Sequence, residues 1–263
     1  MIACLVTVFL LVSYLFSFPG RRVMLPHSPY LLIVQPGVSE QSVNLVRDGL
    51  TEADQFLNDV TGMTLETEAE VRLASFSPCS PLQPLPQLGA TAQVVGNRLC
   101  VNTLSGVWQD SLNNNTGFAF SVIAHEHYHL LQHQLGCLSS PWQKQYDWLI
   151  EGGASYVGWE TAITAGKLQR ESVTTLLTTM RATDKLGTLK SYEHGIGGDA
   201  SYSLAYQAVQ HLVNKTGSVR SLNDFCSRVG HGENWRDAFA HTFGITLEDF
   251  YGTFEAIRAR GSP

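Results

Sequence analysis

Apolar positions along the chain change their spacing near Thr116, and the change divides the sequence into two parts. Before it the runs are short. Tyr30–Val34 (YLLIV) is a continuous apolar stretch of strand length, ended by Pro36-Gly37. From Ser39 to about Val60, the residues Val43, Val46, Leu50, Ala53, Phe56, Leu57 and Val60 recur at three- and four-residue steps and stop at Thr61-Gly62, which predicts one long amphipathic helix. Val71–Ser77 (VRLASFS) alternates as a strand does, and Pro78–Pro86, with four prolines in nine positions, predicts a loop. Gln93–Asn102 (QVVGNRLCVN), with Gly96-Asn97 at its centre, reads as a hairpin or as one long edge strand. Beyond Thr116 the spacing is helical almost throughout and predicts helices over about 117–136, 147–166, 169–181, 200–215, 219–228, 233–242 and 246–259. Gly136, Gly166, Gly187, the Gly195–Gly198 cluster, Gly217, Gly230 and Gly244 fall where a helix end takes a left-handed residue. The predicted fold class is α+β: residues 21–116 form an α/β layer with a small mixed sheet, and residues 117–263 form a mainly helical layer, joined through the helix that begins near Gly117.

Composition changes this picture at the N-terminus. Ile2–Phe18 (IACLVTVFLLVSYLFSF) carries no charge, so residues 1–20 read as a membrane anchor or a signal segment. The stretch is long for a signal core and slightly short for a full span, and it lacks a small-x-small cleavage site, which favours an anchor. Arg21 and Arg22 follow it with nothing basic before it, a pattern that by the positive-inside rule would keep the next domain in the cytoplasm. A buried N-terminal helix is the bland alternative. The reading adopted is a domain held outside the cytoplasmic membrane through this segment, or secreted. A net charge of −6, with 17 Lys and Arg scattered along the chain, leaves no footprint for nucleic acid. Apart from Cys4, the cysteines are Cys79, Cys100, Cys137 and Cys226, with no C-x-x-C pair to make a zinc ribbon. Their even number permits two disulfides, with Cys79 and Cys100 as the pair in the strand-rich part; four buried thiols is the other reading.

The chemistry sits on the joining helix, where His125-Glu126-His127-Tyr128-His129 satisfies H-E-x-x-H. Histidines four apart on a helix lie about 40° apart around its axis, so both imidazoles can reach one ion. Glu126 lies on the same side, where a carboxylate can take a proton from water activated by that ion. Phe120, Ile123, Ala124, His127 and Leu131 face the other way, so the helix is buried on both sides. Catalytic zinc takes a third protein ligand and keeps one position open. A histidine six residues after His129 would be that ligand in a metzincin, but the position is Leu135. Glu151, in Trp148-Leu149-Ile150-Glu151-Gly152-Gly153-Ala154-Ser155-Tyr156, supplies it instead. Gly152 and Gly153 cost that helix roughly 1 kcal/mol each relative to alanine, which a chain tolerates where two backbones approach closely. His133 is one turn further along the metal face, so a rival His129–His133 pair is geometrically possible, but it leaves Glu126 too far from the metal. His127 reads as a hydrogen-bonded core residue, and His194, His211, His231 and His241 have no ligand spacing.

From about Val94 to Ile257 the chain resembles the gluzincin zinc peptidases, in particular bacterial collagenase-like and peptidase-MA-like domains, through His125, Glu126, His129, Trp148, Glu151, Gly152 and Ala154. The resemblance implies a zincin-like fold with the active-site cleft between its two layers and one zinc ion per chain, held by His125, His129 and Glu151. It implies hydrolysis of peptide bonds in a peptide or protein by metal-activated water, with Glu126 as general base. It also implies an edge strand that holds extended substrate, here Arg98, Leu99, Cys100, Val101 and Asn102. Tyr202, on Tyr202-Ser203-Leu204-Ala205-Tyr206, is the candidate oxyanion donor, although both tyrosines packing as core residues fits equally. The Gly195–Gly198 stretch before it suggests a flexible wall of the cleft. In one respect the chain departs from the family: relatives place Glu or Asp four residues after the glutamate ligand to orient a zinc histidine, and here Ser155 stands there. That opens a rival reading, a catalytically inactive binding module on the same fold, and the N-terminal apolar segment opens another, a membrane-tethered assembly protein.

Overall fold

The structure is a computed structural model in which residues 20–26, 28–74, 91–138, 145–182 and 185–260 are described. It opens on a five-stranded mixed sheet of β1 (Arg21–Met24), β2 (Tyr30–Val34), β3 (Ala69–Ala74), β4 (Ala92–Val95) and β5 (Arg98–Asn102), in the spatial order β1-β2-β3-β5-β4. The three central strands run parallel and both outer pairs are antiparallel. Helix α1 (Glu40–Thr61) connects β2 to β3. Ser39 caps it by accepting from Ser42 N, and Gly62 ends it in the left-handed conformation at φ 71°. Its apolar stripe, Val43, Val46 and Leu50, packs with Leu32, Val71, Leu99 and Val101 into one core.

After β5 come α2 (Gly106–Asn114) and α3 (Thr116–Gln134), started by the Ser105 and Asn115 side chains respectively. The helical layer continues with α4 (Asp147–Thr164), α5 (Arg170–Arg181), a short 3₁₀ turn at Leu189–Tyr192, α6 (Asp199–Thr216), α7 (Arg220–Gly230), α8 (Trp235–Phe243) and α9 (Leu247–Ala259). A second, larger core joins Tyr128 and Leu131 of α3 to Trp148, Val157, Leu204, Val209, Phe225, Phe239 and Phe250. Helix α3 also gives Ala119, Ile123 and Leu130 to the first core, and so forms the wall between the two. The architecture is the α+β arrangement expected, with α3 where the layers meet.

Two elements differ from the sequence reading. Arg21–Met24, for which the apolar pattern predicts no element, pairs antiparallel with β2. Gly106–Asn114 shows no clear period because only Trp108 and Leu112 are buried apolar positions in it; Trp108 Nε1 donates to Ser42 Oγ of α1 at 3.0 Å. Gln93–Asn102 resolves as the hairpin, turning at Gly96 with φ 62°. Arg98–Asn102 is therefore not an edge strand: β3 pairs with one side of it and β4 with the other. Leu99, Cys100 and Val101 are consecutive buried residues, the mark of a strand covered on both faces. Among the described strands, β4 is the outermost on this side of the sheet.

Cys137 and Cys226 form a disulfide, joining the turn after α3 to α7. Cys100 is also disulfide-bonded, while its expected partner Cys79, with the proline-rich 78–86 stretch, lies outside the described residues. So does the apolar N-terminal segment; among the described residues, no helix is long and apolar enough to cross a membrane.

Candidate metal centre

Helix α4 lies unusually close to α3, and glycine makes this possible. A Cβ on Gly158 would sit 2.6 Å from Ser121 O and 3.1 Å from His125 Cβ. On its other side α4 meets α6, where a Cβ on Gly152 would sit 2.6 Å from Ala205 O. Glu151 is thus clamped between the histidine helix and the tyrosine helix. Gly153 faces a looser contact, since its Cβ would lie 3.4 Å from Tyr128 and 3.5 Å from Gln132.

This clamp brings His125, His129 and Glu151 together, the group among the described residues whose donor atoms converge on one point, all within 4.8 Å of one another. His125 Nε2 and His129 Nε2 are 3.0 Å apart, and Glu151 Oε2 is 3.4 and 3.3 Å from them. Donors about 2 Å from one tetrahedral ion lie about 3.3 Å from each other, so spacing and donor chemistry both fit zinc. His133 is exposed and outside the group. His127 is fully buried on the opposite face, with Nε2 2.5 Å from Tyr30 Oη and 2.9 Å from Asp54 Oδ1, which ties α3 to β2 and α1.

Charge in the cluster is strongly coupled. Burial works against the Glu151 carboxylate, but His129 and His125 outweigh it and hold that carboxyl well below its usual range. Burial likewise disfavours the His129 imidazolium, yet Glu151, with help from Glu126, carries its pKa up to about 9. Glu126 goes the other way: it is only 7 % exposed, and burial raises its pKa despite both histidines. A carboxyl shifted toward neutrality beside a donor cluster suits proton transfer.

The cluster opens on a cavity of about 320 Å³, with His125, Glu126, Ser155 and Tyr202 on its wall. Phe118, Val122, Trp159, Leu177 and Met180 give it an apolar side, and Thr91 and Ala92, at the start of β4, form its rim. None of Arg98, Leu99, Cys100, Val101 and Asn102 lines it, and Arg98 instead pairs with Glu70 at 2.6 Å. Of the two tyrosines, Tyr202 faces the cavity with its ring 6.2 Å from that of His125; burial first, then the charges of Glu151 and Glu126, pushes its phenol up. Tyr206 is structural, 3.4 Å from a buried Glu160 that Arg170 holds at two points.

Behind the histidines stand groups the motif does not announce. Gln132 Oε1 is 2.7 Å from His129 Nδ1, and Ser155 Oγ is 3.4 Å from His125 Nδ1. Ser155 therefore occupies the position of the missing carboxylate and touches the ring it would orient. The signal for Gln132 is its place one turn beyond His129 on the same helix, although a polar residue there is common on any helix.

No family model matches the chain, and no curated protein does. Among solved structures it is similar to a point mutant of an M1 zinc metallopeptidase from Deinococcus radiodurans, at 12 % identity and a TM-score of 0.50 over 89 % of this chain and 50 % of that one. The unmutated enzyme aligns at 13 % identity with a TM-score of 0.48, over 90 % and 50 % of the two chains. This chain spans about half the length of those structures. What it shares with the first of them, with a donor cluster of the right chemistry at the junction of its layers, is the fold, which is zincin-like.

Proposed function

We propose that the chain is a zinc-dependent peptidase of the gluzincin type. The observation that carries this reading is the convergence of His125, His129 and Glu151, from two helices held together by Gly158, beside a buried Glu126 at the floor of a cleft. His125, His129 and Glu151 would hold the ion. Zinc, when bound, supplies Lewis acidity toward water and the scissile carbonyl. Glu126 accepts the proton of the attacking water on its carboxylate and returns it to the nitrogen of the leaving amine. Tyr202 offers a neutral phenol to the oxygen on which charge develops. An extended peptide lies along β4, the outermost described strand beside the rim of the cleft, in place of the interior strand Arg98–Asn102, and seats a large side chain against Val122 and Trp159. Buried disulfide cysteines support an oxidising compartment, in keeping with an exported or membrane-held domain.

The test is Glu126→Gln in the full chain. Zinc content should remain near one ion per chain, while cleavage of a peptide library falls by about two orders of magnitude or more. Chelator-sensitive cleavage at the parental rate in this variant would refute the role of Glu126. A zinc-loaded parent that cleaves no library peptide would favour the binding-module reading.

A further inference from the structure

Gln132 is 2 % exposed and touches both ligand-bearing helices. Its Nε2 donates to Ile150 O of α4 at 3.0 Å, and its Oε1 lies 2.7 Å from His129 Nδ1 on its own helix. A backbone carbonyl can only accept, so the end of the amide that faces Ile150 must be the NH₂ group. Reversing the amide would set two oxygens against each other at the same 3.0 Å. With that end fixed, the oxygen faces His129, and since it too can only accept, Nδ1 must carry the hydrogen. In the neutral ring that takes a metal, the lone pair of Nε2 then points at His125 and Glu151.

We infer that Gln132 is a positioning residue for the zinc site, using the Ile150 carbonyl as a fixed reference to select the Nδ1–H tautomer of His129 and to hold its ring plane. The inference rests on the zinc reading above and deepens it. Because Ile150 directly precedes Glu151, one amide also links the position of the carboxylate ligand to that of the histidine. Among the described residues His125 has no such device. Its Nδ1 faces the hydroxyl of Ser155 at 3.4 Å, and a hydroxyl can donate or accept and so imposes no tautomer. The two histidines are therefore unequal: His129 is preset for metal and His125 is set by the metal itself.

The experiment uses the full chain with Gln132→Met, which keeps length and volume but loses both polar ends, and Gln132→Glu, which keeps an acceptor for Nδ1–H and, as the neutral acid that burial favours, a donor for the Ile150 carbonyl. Zinc affinity is measured by competition with a chromogenic chelator, coordination geometry from the visible absorption of the Co²⁺ form, and folding from urea unfolding in excess chelator. Gln132→Met should bind zinc about 10- to 100-fold more weakly and shift the Co²⁺ spectrum, while Gln132→Glu stays within about tenfold of the parent. Unchanged zinc affinity in Gln132→Met, or Gln132→Glu as weak as Gln132→Met, would overturn the inference. If Gln132→Met does not fold, Gln132→Glu decides on the same tenfold limit. A parent that binds zinc and loses it in Gln132→Met, yet cleaves no peptide, supports this inference and overturns the peptidase. Absence of zinc binding in the parent overturns both.

Discussion

The close approach of α3 and α4 can be tested with one substitution made at two places. In Gly158→Ala the new methyl would lie 2.6 Å from Ser121 O and 3.2 Å from His125 N, both backbone atoms that cannot rotate away. Ordinary contact begins near 3.4 Å, so α4 has to retreat by roughly 0.8 Å. Overpacking of this kind costs about 1–3 kcal/mol, against about 1 kcal/mol gained from the better helix propensity of alanine. Gly153→Ala collects the same gain on the same helix, but its methyl meets only side chains, at 3.4 and 3.5 Å. The two variants should thus differ by about 2 kcal/mol, or about 6 °C in Tm for a domain of this size, with Gly153→Ala the more stable. Thermal unfolding in excess chelator measures this without any contribution from metal. Zinc affinity should diverge as well: a retreat of ~0.8 Å is large against donor separations of 3.0 to 3.4 Å, so Gly158→Ala should lose about tenfold or more and Gly153→Ala little. Equal stability and equal zinc affinity in the two would refute the claim that Gly158 sets the helix spacing.

Three further outcomes follow from the geometry. Removing the Cys137–Cys226 disulfide, which closes a separation of 89 residues between buried sulfurs, should cost about 4–5 kcal/mol in urea unfolding, and a loss below ~1 kcal/mol would count against a structural role. Val122→Phe should fill the apolar side of the cavity, so that library cleavage beside large apolar residues drops while zinc content holds; an unchanged cleavage pattern would place the substrate side chain elsewhere. Ser155→Glu should carry a carboxylate to His125 Nδ1 and tighten zinc by about tenfold, and unchanged affinity in a folded variant would mean that the hydroxyl already suffices.

The helical half was legible because its signals are long. Each predicted helix has a counterpart within one or two residues, since caps and glycines punctuate runs of ten residues or more. The ligand cluster was legible for a related reason, because the His125–His129 spacing is a property of a single helix. Strand order was not: Gly96-Asn97 leaves a hairpin and one long edge strand both open over Gln93–Asn102, and which part is outermost depends on where β3 docks, a contact between distant parts of the chain. The role of Gln132 is hidden in the sequence for the same reason, because half of it lies in the Ile150 carbonyl on another helix.

The double burial of α3 has a consequence for cooperativity. A helix walled by solvent on one side can fray while the rest of its domain stays intact, but α3 packs Ile123 and Tyr128 against two different sets of neighbours. Neither half of the molecule can hold the two imidazoles in place alone, so local opening on either side should reach the metal donors as readily as a change beside them. Leu50 and Phe239, though in different cores, would both report through the same two histidines, and zinc occupancy would serve as a gauge of whether the whole chain is folded.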